Sequence, residues 1–295
     1  MGLILKRPSL IGNGDIPVSN PPWGIGMFLV SQRGDDMPRQ PIAIPYALRD
    51  ALQSGLTHYK IMFLSAPTGW GKTAAVSKLL EKQNAACLSL RKKPLPSYFS
   101  KERVILLDDF QELPPHAEQQ FRELLRKSPR GQRFVLLSRG PLPGYLTLYE
   151  ATGALLQLDC GHLALDMECL AQLAQDQDLT FSSDELRRLR DETGGCPVAV
   201  NLLLQLLSAG QPFHKATIDT MGRKMGAYIN ETALRPLDSK ARKLLTELSL
   251  FESFDQTLAE MLTGDASVPA LLESLERSGG LIRREGDVWR FTDQR

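Results

Sequence analysis

Lys72 and Thr73 close the stretch APTGWGKT, which runs Ala66, Pro67, Thr68, Gly69, Trp70, Gly71, Lys72, Thr73 after the apolar residues 61–64 and Ser65. In a loop of the pattern G-x-x-x-x-G-K-[ST], glycines let consecutive backbone N–H groups turn inward around phosphate oxygens. The lysine reaches the β- and γ-phosphates, and the hydroxyl ligates Mg²⁺. Ala66 stands at the first glycine position, so the match is one residue short of strict. From Ala74 the chain continues AAVSKLLEK. This opens a helix whose positive N-terminus faces the phosphates.

A second run, VILLDDF at residues 104–110, follows the loop by about thirty residues. Apolar residues ending in two carboxylates fit a buried parallel strand whose C-terminal tip emerges at the ligand edge. Asp108 is the candidate to support Mg²⁺, usually through water. Asp109, one residue nearer the γ-phosphate, is the candidate to orient or deprotonate an attacking water. Loop and Asp-Asp strand together point to ATP or GTP with Mg²⁺. A third run, RFVLLSR at residues 133–139, places Ser138 and Arg139 at another strand tip. Arg139 there either touches the γ-phosphate or is a solvated strand end. ACLSL at 86–90 and ALLQLD at 154–159 complete five expected strands separated by helical stretches. This alternation predicts an α/β P-loop NTPase fold, a five-stranded, mostly parallel sheet in a three-layer arrangement.

At 295 residues the chain can hold more than one domain, and 42% apolar with 23% charged residues is ordinary for a soluble globular protein. The net charge of +1 gives no global pull towards nucleic acid or anionic membrane. Cys87, Cys160, Cys169 and Cys196 lie far apart without a C-x-x-C pair, which favours reduced cytosolic thiols over disulfides or zinc ligands. There is no signal-peptide pattern and no apolar stretch of membrane-spanning length, and Lys6 breaks the myristoylation pattern. A cytoplasmic location is expected, with no membrane partner.

Along the chain, residues 1–43 read as a Pro- and Gly-rich N-terminal arm, and 44–159 as the nucleotide-binding domain. Within it, residues 44–55 and 112–127 predict helices, and RKKPLPSYFSKER at 91–103 predicts a solvated surface connector. Residues 160–234 form a helical subdomain, with Asp166 as a cap and Ser182 with Glu185 as a capping box. Gly194-Gly195-Cys196-Pro197 stops one helix and starts another. From 235 to 295, three amphipathic helices and a hairpin around Gly286 make a winged-helix pattern. That unit holds nine Lys/Arg against eleven Asp/Glu, 9 − 11 = −2, and a DNA-reading wing should be basic.

This order of motifs resembles the signal-transduction ATPases with numerous domains (STAND). It is most similar to the nucleotide-binding module of the large LuxR-type transcription regulators related to the maltose-regulon activator. Those also carry Ala at the first loop position, an Asp-Asp strand, a strand ending Ser-Arg, a Gly-x-Pro turn like Gly195-Cys196-Pro197, and a winged helix. The resemblance implies a bacterial ATP/ADP switch with slow hydrolysis. ADP holds it closed with the winged helix folded over, while an unknown inducer and ATP open it to self-associate. It further implies that Arg139 senses the γ-phosphate and Pro197 packs near adenine. Lys72, Asp109 and Arg139 would then be the catalytic set. The stretch before the Asp-Asp strand is shorter than the family's usual one, so a helix or strand is missing there. Thr292 stands where many relatives place a histidine that touches the ADP β-phosphate. Relatives also add sensor repeats and a DNA-binding output beyond the winged helix. The stop at Arg295 therefore reads either as an excised portion of a regulator, the favoured case, or as a short form relying on partners, with DNA reached only through a region not in this chain.

Two other readings stand beside the switch. An AAA-like oligomeric remodelling ATPase would borrow a neighbour's arginine, for which Arg126, Arg130 and Arg133 are candidates. A DNA-binding winged-helix protein with a degenerate nucleotide fold would show steeply salt-dependent duplex binding.

Overall fold

The computed structural model describes residues 42–99, 102–265 and 267–292. The arm assigned to residues 1–43 therefore lies almost wholly outside the described residues. Helix α1 (Tyr46–His58) leads into β1 (Ile61–Ser65), the phosphate loop and α2 (Lys72–Leu80). There follow β2 (Ala85–Ser89), β3 (Val104–Asp108), α3 (Glu118–Lys127), β4 (Arg133–Ser138), a short α4 (Thr147–Ala151) and β5 (Leu155–Leu158). The five strands lie in the order β2-β3-β4-β1-β5, and every neighbouring pair is parallel. All five strands read from the sequence form; β3 stops at Asp108, two residues before the end of the run 104–110, and the other ends lie within a residue of the expected ones. The order places β4 between the strand of the phosphate loop and the Asp-Asp strand, so all three tips open on one edge.

The apolar runs are continuous because both faces of the sheet are covered. Successive residues of a strand point to opposite faces. Met62, Leu64, Val104, Leu106, Val135 and Leu137 accordingly enter one core, with Leu52 of α1 and Val76 of α2. Ile61, Phe63, Ile105, Leu107, Phe134 and Leu136 enter the other, against Phe121, Leu124 and Leu125 of α3.

Two local expectations need correction. Residues 112–127 do not form one helix: two 3₁₀ turns, Phe110–Glu112 and Pro115–Ala117, precede α3. Pro114 and Pro115 lack the N–H groups that an α-helix needs beyond its first turn. The connector between β2 and β3 contains no helix among the described residues, yet it is not simply solvated. Leu95 is buried in the second core, and Gln120 Nε2 donates to the Leu95 carbonyl at 2.9 Å.

Helices α5 (Cys160–Leu163), α6 (Met167–Gln175), α7 (Ser183–Thr193), α8 (Pro197–Ser208) and α9 (Lys215–Ile229) follow. Asp166 caps α6 by accepting from Cys169 N at 2.9 Å, and Ser182 with Glu185 closes the capping box on α7. Left-handed Gly194 and Gly195 end α7, and Pro197 takes the first position of α8. These helices share the first core: Leu170, Leu189, Leu203, Leu204 and Met221 pack in one cluster with Met62 and Leu64.

A π-helical turn, Asn230–Leu234, then leads to α10 (Ser239–Leu248), β6 (Ser253–Phe254), α11 (Gln256–Thr263), α12 (Val268–Gly279), β7 (Ile282–Glu285) and β8 (Val288–Phe291). β6 adds a third strand to the expected hairpin, in the order β6-β8-β7. This winged helix has its own core around Leu244, Leu248, Phe254, Leu272 and Trp289. Ile229 packs against both this core and the first. Among the described residues, no helix is long and apolar enough to cross a membrane.

Candidate functional site

The phosphate loop leaves β1 tied to the neighbouring strand tip. Ala66 N donates to the Ser138 carbonyl at 3.2 Å, and Ser65 Oγ to the Gly140 carbonyl at 2.8 Å. Gly69 (φ 89°) and Gly71 (φ 70°) adopt left-handed backbone, which is what curls the loop's amides inward. Ala66 does not: the only described non-glycine residues with positive φ are Asp109 and Asp178. The first position of this loop thus demands no glycine, which accounts for the departure from the strict pattern. Gly71 precedes α2 with no side-chain cap on the helix's first amides, and Ala74 is buried in its first turn.

Lys72 folds back on its own loop, with Nζ donating to the carbonyls of Ala66 at 2.6 Å and Pro67 at 2.9 Å. Desolvation, with the nearby Arg139 guanidinium, lowers its pKa to about 7 despite the opposing pull of Asp108 and Asp109. Thr73 Oγ1 donates to Asp108 Oδ2 at 2.8 Å, which joins the two candidate Mg²⁺ residues directly. Burial, with Asp109 beside it, holds the Asp108 carboxyl above the usual range.

Asp109 sits in left-handed backbone (φ 55°), a conformation that Asp tolerates better than most side chains. Its amide donates to Asp108 Oδ1 at 2.9 Å. Its own carboxylate accepts from Ser89 Oγ at 3.1 Å and Gln111 Nε2 at 3.4 Å. Arg91 and Arg139 lie 3.5 and 3.9 Å from Asp109 Oδ1. Arg139 is therefore no free strand end. Its backbone N donates to Gln111 Oε1 at 3.1 Å, and burial and Arg91 hold its guanidinium below its ordinary pKa.

Pro197 lies 130 residues of chain from Pro67 but lines the same pocket as Trp70, Gly71 and Ala74, together with Ala43 and Pro45. The pocket is mostly apolar. Trp70 Nε1 beside it is buried without a hydrogen-bond partner. The residues present thus fit a nucleotide with its cation. There is a small, mostly apolar pocket bearing Trp70 and Pro197, a curled loop with a lysine suited to phosphates, and a hydroxyl–carboxylate pair suited to a divalent ion. The loop residues 66–74, Asp108, Asp109 and Arg139 converge on this one edge of the sheet, whereas Thr292 lies in a different pocket.

Four residues were missed. Ser89 pairs in register with Asp108 across the sheet, and Gln111 follows Asp109 by two, so both had a local signal. Arg91 falls in a connector whose composition suggests only solvation, and Tyr228 carries no motif at all. Of Arg126, Arg130 and Arg133, the arginines that could reach a neighbouring copy, Arg133 is spent locally. It donates to the carbonyls of Leu56 at 3.1 Å and Arg130 at 2.9 Å.

The winged helix rests on this edge. A Cβ on Gly140 would stand 2.1 Å from the Arg277 carbonyl, and one on Gly280 would stand 2.6 Å from the Arg139 carbonyl. The C-terminal end of α12, the helix that would enter a DNA groove, is set against the tip of β4. Thr292 N donates to the Leu281 carbonyl at 2.8 Å, and Thr292 lines a pocket with Ile229, Leu245 and Phe291.

Residues 230–293 match the family described as the MalT winged helix domain. Over 190 residues the chain is 28% identical to the HTH-type transcriptional regulator MalT of Yersinia pestis, a match covering 62% of this chain and 21% of that protein. The corresponding MalT of Yersinia enterocolitica is 26% identical over 189 residues, with the same shares covered. The chain thus spans about a fifth of the length of the curated relatives it matches. Among solved structures, the Walker-type ATPase PABY2304 of Pyrococcus abyssi superposes with a TM-score of 0.59 at 14% identity, over 88% of this chain and 97% of that one. That likeness shows the P-loop ATPase fold.

Proposed function

We propose that this MalT-like P-loop ATPase of the STAND class is the ATP/ADP-binding switch module of a bacterial transcription regulator, working in the cytoplasm and hydrolysing ATP slowly. The observation that carries the reading is the seat of the winged helix. It stands on Arg139 and Gly140, the strand tip that faces the phosphate loop and contacts Asp109. A ligand that draws the Arg139 side chain towards itself acts on the same short segment that holds the winged helix in place.

The roles follow from the chemistry at each position. The amides of 66–71 and the Lys72 ammonium hold phosphates, and Thr73 with Asp108 holds Mg²⁺. A divalent cation held there would neutralise charge on the phosphate oxygens. Asp109 accepts the proton of the attacking water once Arg91 and Arg139 release it. Arg139 turns from Asp109 to the terminal phosphate. Pro197 and Trp70 enclose the base, which on the resemblance is adenine. With ADP the winged helix stays docked. With ATP and an inducer not identifiable from this chain it leaves, and copies associate. The negative balance of the winged helix speaks against its reading DNA itself.

Light scattering after gel filtration tests the reading. ADP should give a compact monomer. A non-hydrolysable ATP analogue should shift the population towards larger species, and Lys72→Ala should abolish the difference. Identical profiles with both nucleotides would contradict a switch.

A further inference from the structure

The helical subdomain also sends a side chain to the phosphate loop. Tyr228, on the last turn of α9, lays its ring on the loop: a Cβ on Gly69 would come within 3.2 Å of Tyr228 Cε1. The hydroxyls of Thr68 and Thr232 both hydrogen-bond to the phenol oxygen, and Arg139 is close enough to act on it electrostatically. Thr68 is itself buried. Three units of the fold thus meet at one point: the loop through Thr68, the sheet through Arg139, and the subdomain through Tyr228. A phenol that accepts from both hydroxyls on its two lone pairs keeps its own O–H to donate.

We infer that Tyr228 is a ligand-contacting residue that donates its phenolic hydrogen bond to the terminal phosphate of a nucleoside triphosphate. The inference rests on the nucleotide-binding reading above. Lys72 and Arg139 bring the positive charge, while Tyr228 brings a neutral donor from a different part of the fold. Position makes the contact consequential. The next residue, Ile229, packs against both the first core and the winged-helix core. The chain then enters the π-helical turn Asn230–Leu234, a local irregularity of the kind found at functional sites. A triphosphate that engages Tyr228 therefore pulls on the segment that joins the subdomain to the winged helix.

Tyr228→Phe keeps the ring on Gly69 and removes only the donor. The test measures Kd for ADP and for the β,γ-imido analogue of ATP by calorimetry, on wild type, Tyr228→Phe and Lys72→Ala. Loss of one hydrogen bond to a charged group predicts roughly a tenfold weaker analogue. ADP should change by less than about twofold, on the same basis that the lost bond is to the terminal phosphate only. Equal affinities of Tyr228→Phe and wild type for both ligands would overturn the contact, leaving the ring as packing alone. An equal loss for both would overturn it too, because the defect would lie in the loop. Wild type that binds neither ligand would instead refute the nucleotide reading, and this inference with it.

Discussion

The carbonyl of Arg139 and the α-carbon of Gly280 are in direct backbone contact, so close that a Cβ on Gly280 would lie 2.6 Å from that oxygen. This contact joins the tip of β4 to the end of α12, and its counterpart at Gly140 is tighter still. Neither glycine can be replaced without the winged helix shifting. Gly140→Ala puts a methyl 2.1 Å from the Arg277 carbonyl, and backbone cannot yield as a flexible side chain does. Small-angle scattering should show a larger radius of gyration for Gly140→Ala than for wild type. Gly131→Ala, whose Cβ would meet nothing within 4 Å, serves as the control and should match wild type. Equal radii for all three would mean the contact does not hold the winged helix.

Protonation of Lys72 should be visible on binding. Its pKa of about 7 leaves roughly half of the ammonium form at pH 7 and roughly a tenth at pH 8. Phosphate stabilises the charged form and raises the pKa, so binding takes protons up. The uptake should rise from about 0.5 at pH 7 to about 0.9 at pH 8, and affinity should fall as pH rises over that window. Calorimetry in two buffers of different ionisation enthalpy reads this directly. Lys72→Arg, always charged, should show no such uptake.

The hydroxyl–carboxylate pair predicts a cation effect. With Thr73 Oγ1 2.8 Å from Asp108 Oδ2, either Thr73→Val or Asp108→Asn removes half of the divalent site. Nucleotide affinity in Mg²⁺ should then drop about tenfold, to the level wild type shows in EDTA, by the loss of one oxygen ligand. Retained Mg²⁺ dependence in both variants would move the cation elsewhere.

Asp109→Asn separates hydrolysis from binding. Asn tolerates the left-handed backbone at this position, so the variant keeps its conformation. Loss of a general base predicts about a hundredfold slower phosphate release. Nucleotide affinity should remain within about threefold, since the base acts only on the attacking water. An unchanged rate would exclude Asp109 as the base.

Most of the sheet and the loop could be read from the chain because their signals are local. Residues 61–64, 104–107 and 134–137 are unbroken apolar runs that only a doubly covered strand requires, and each leads into the polar residues proposed for the site. The capping residues Asp166, Ser182 and Glu185 act within three positions of themselves, so they too were legible. What escaped depends on tertiary contact. Arg91 reaches Asp109 only because β2 lies beside β3 with a turn between them, and the loop's composition suggests nothing but solvation. Tyr228 meets Gly69 across nearly 160 residues of sequence, with no periodicity to betray it. β6, two residues long, is too short for any pattern. The proline pair at 114–115 looked like a helix start and instead delayed one.

The most direct measurement is the nucleotide that the purified protein carries. Wild type and Lys72→Ala are denatured, and what each releases is identified and quantified by chromatography. The account predicts adenine nucleotide, mainly ADP, approaching one per chain in wild type and none in Lys72→Ala. Wild type that releases nothing and also fails to bind added ATP or ADP would contradict it, and the loop at 66–73 would then be a structural turn.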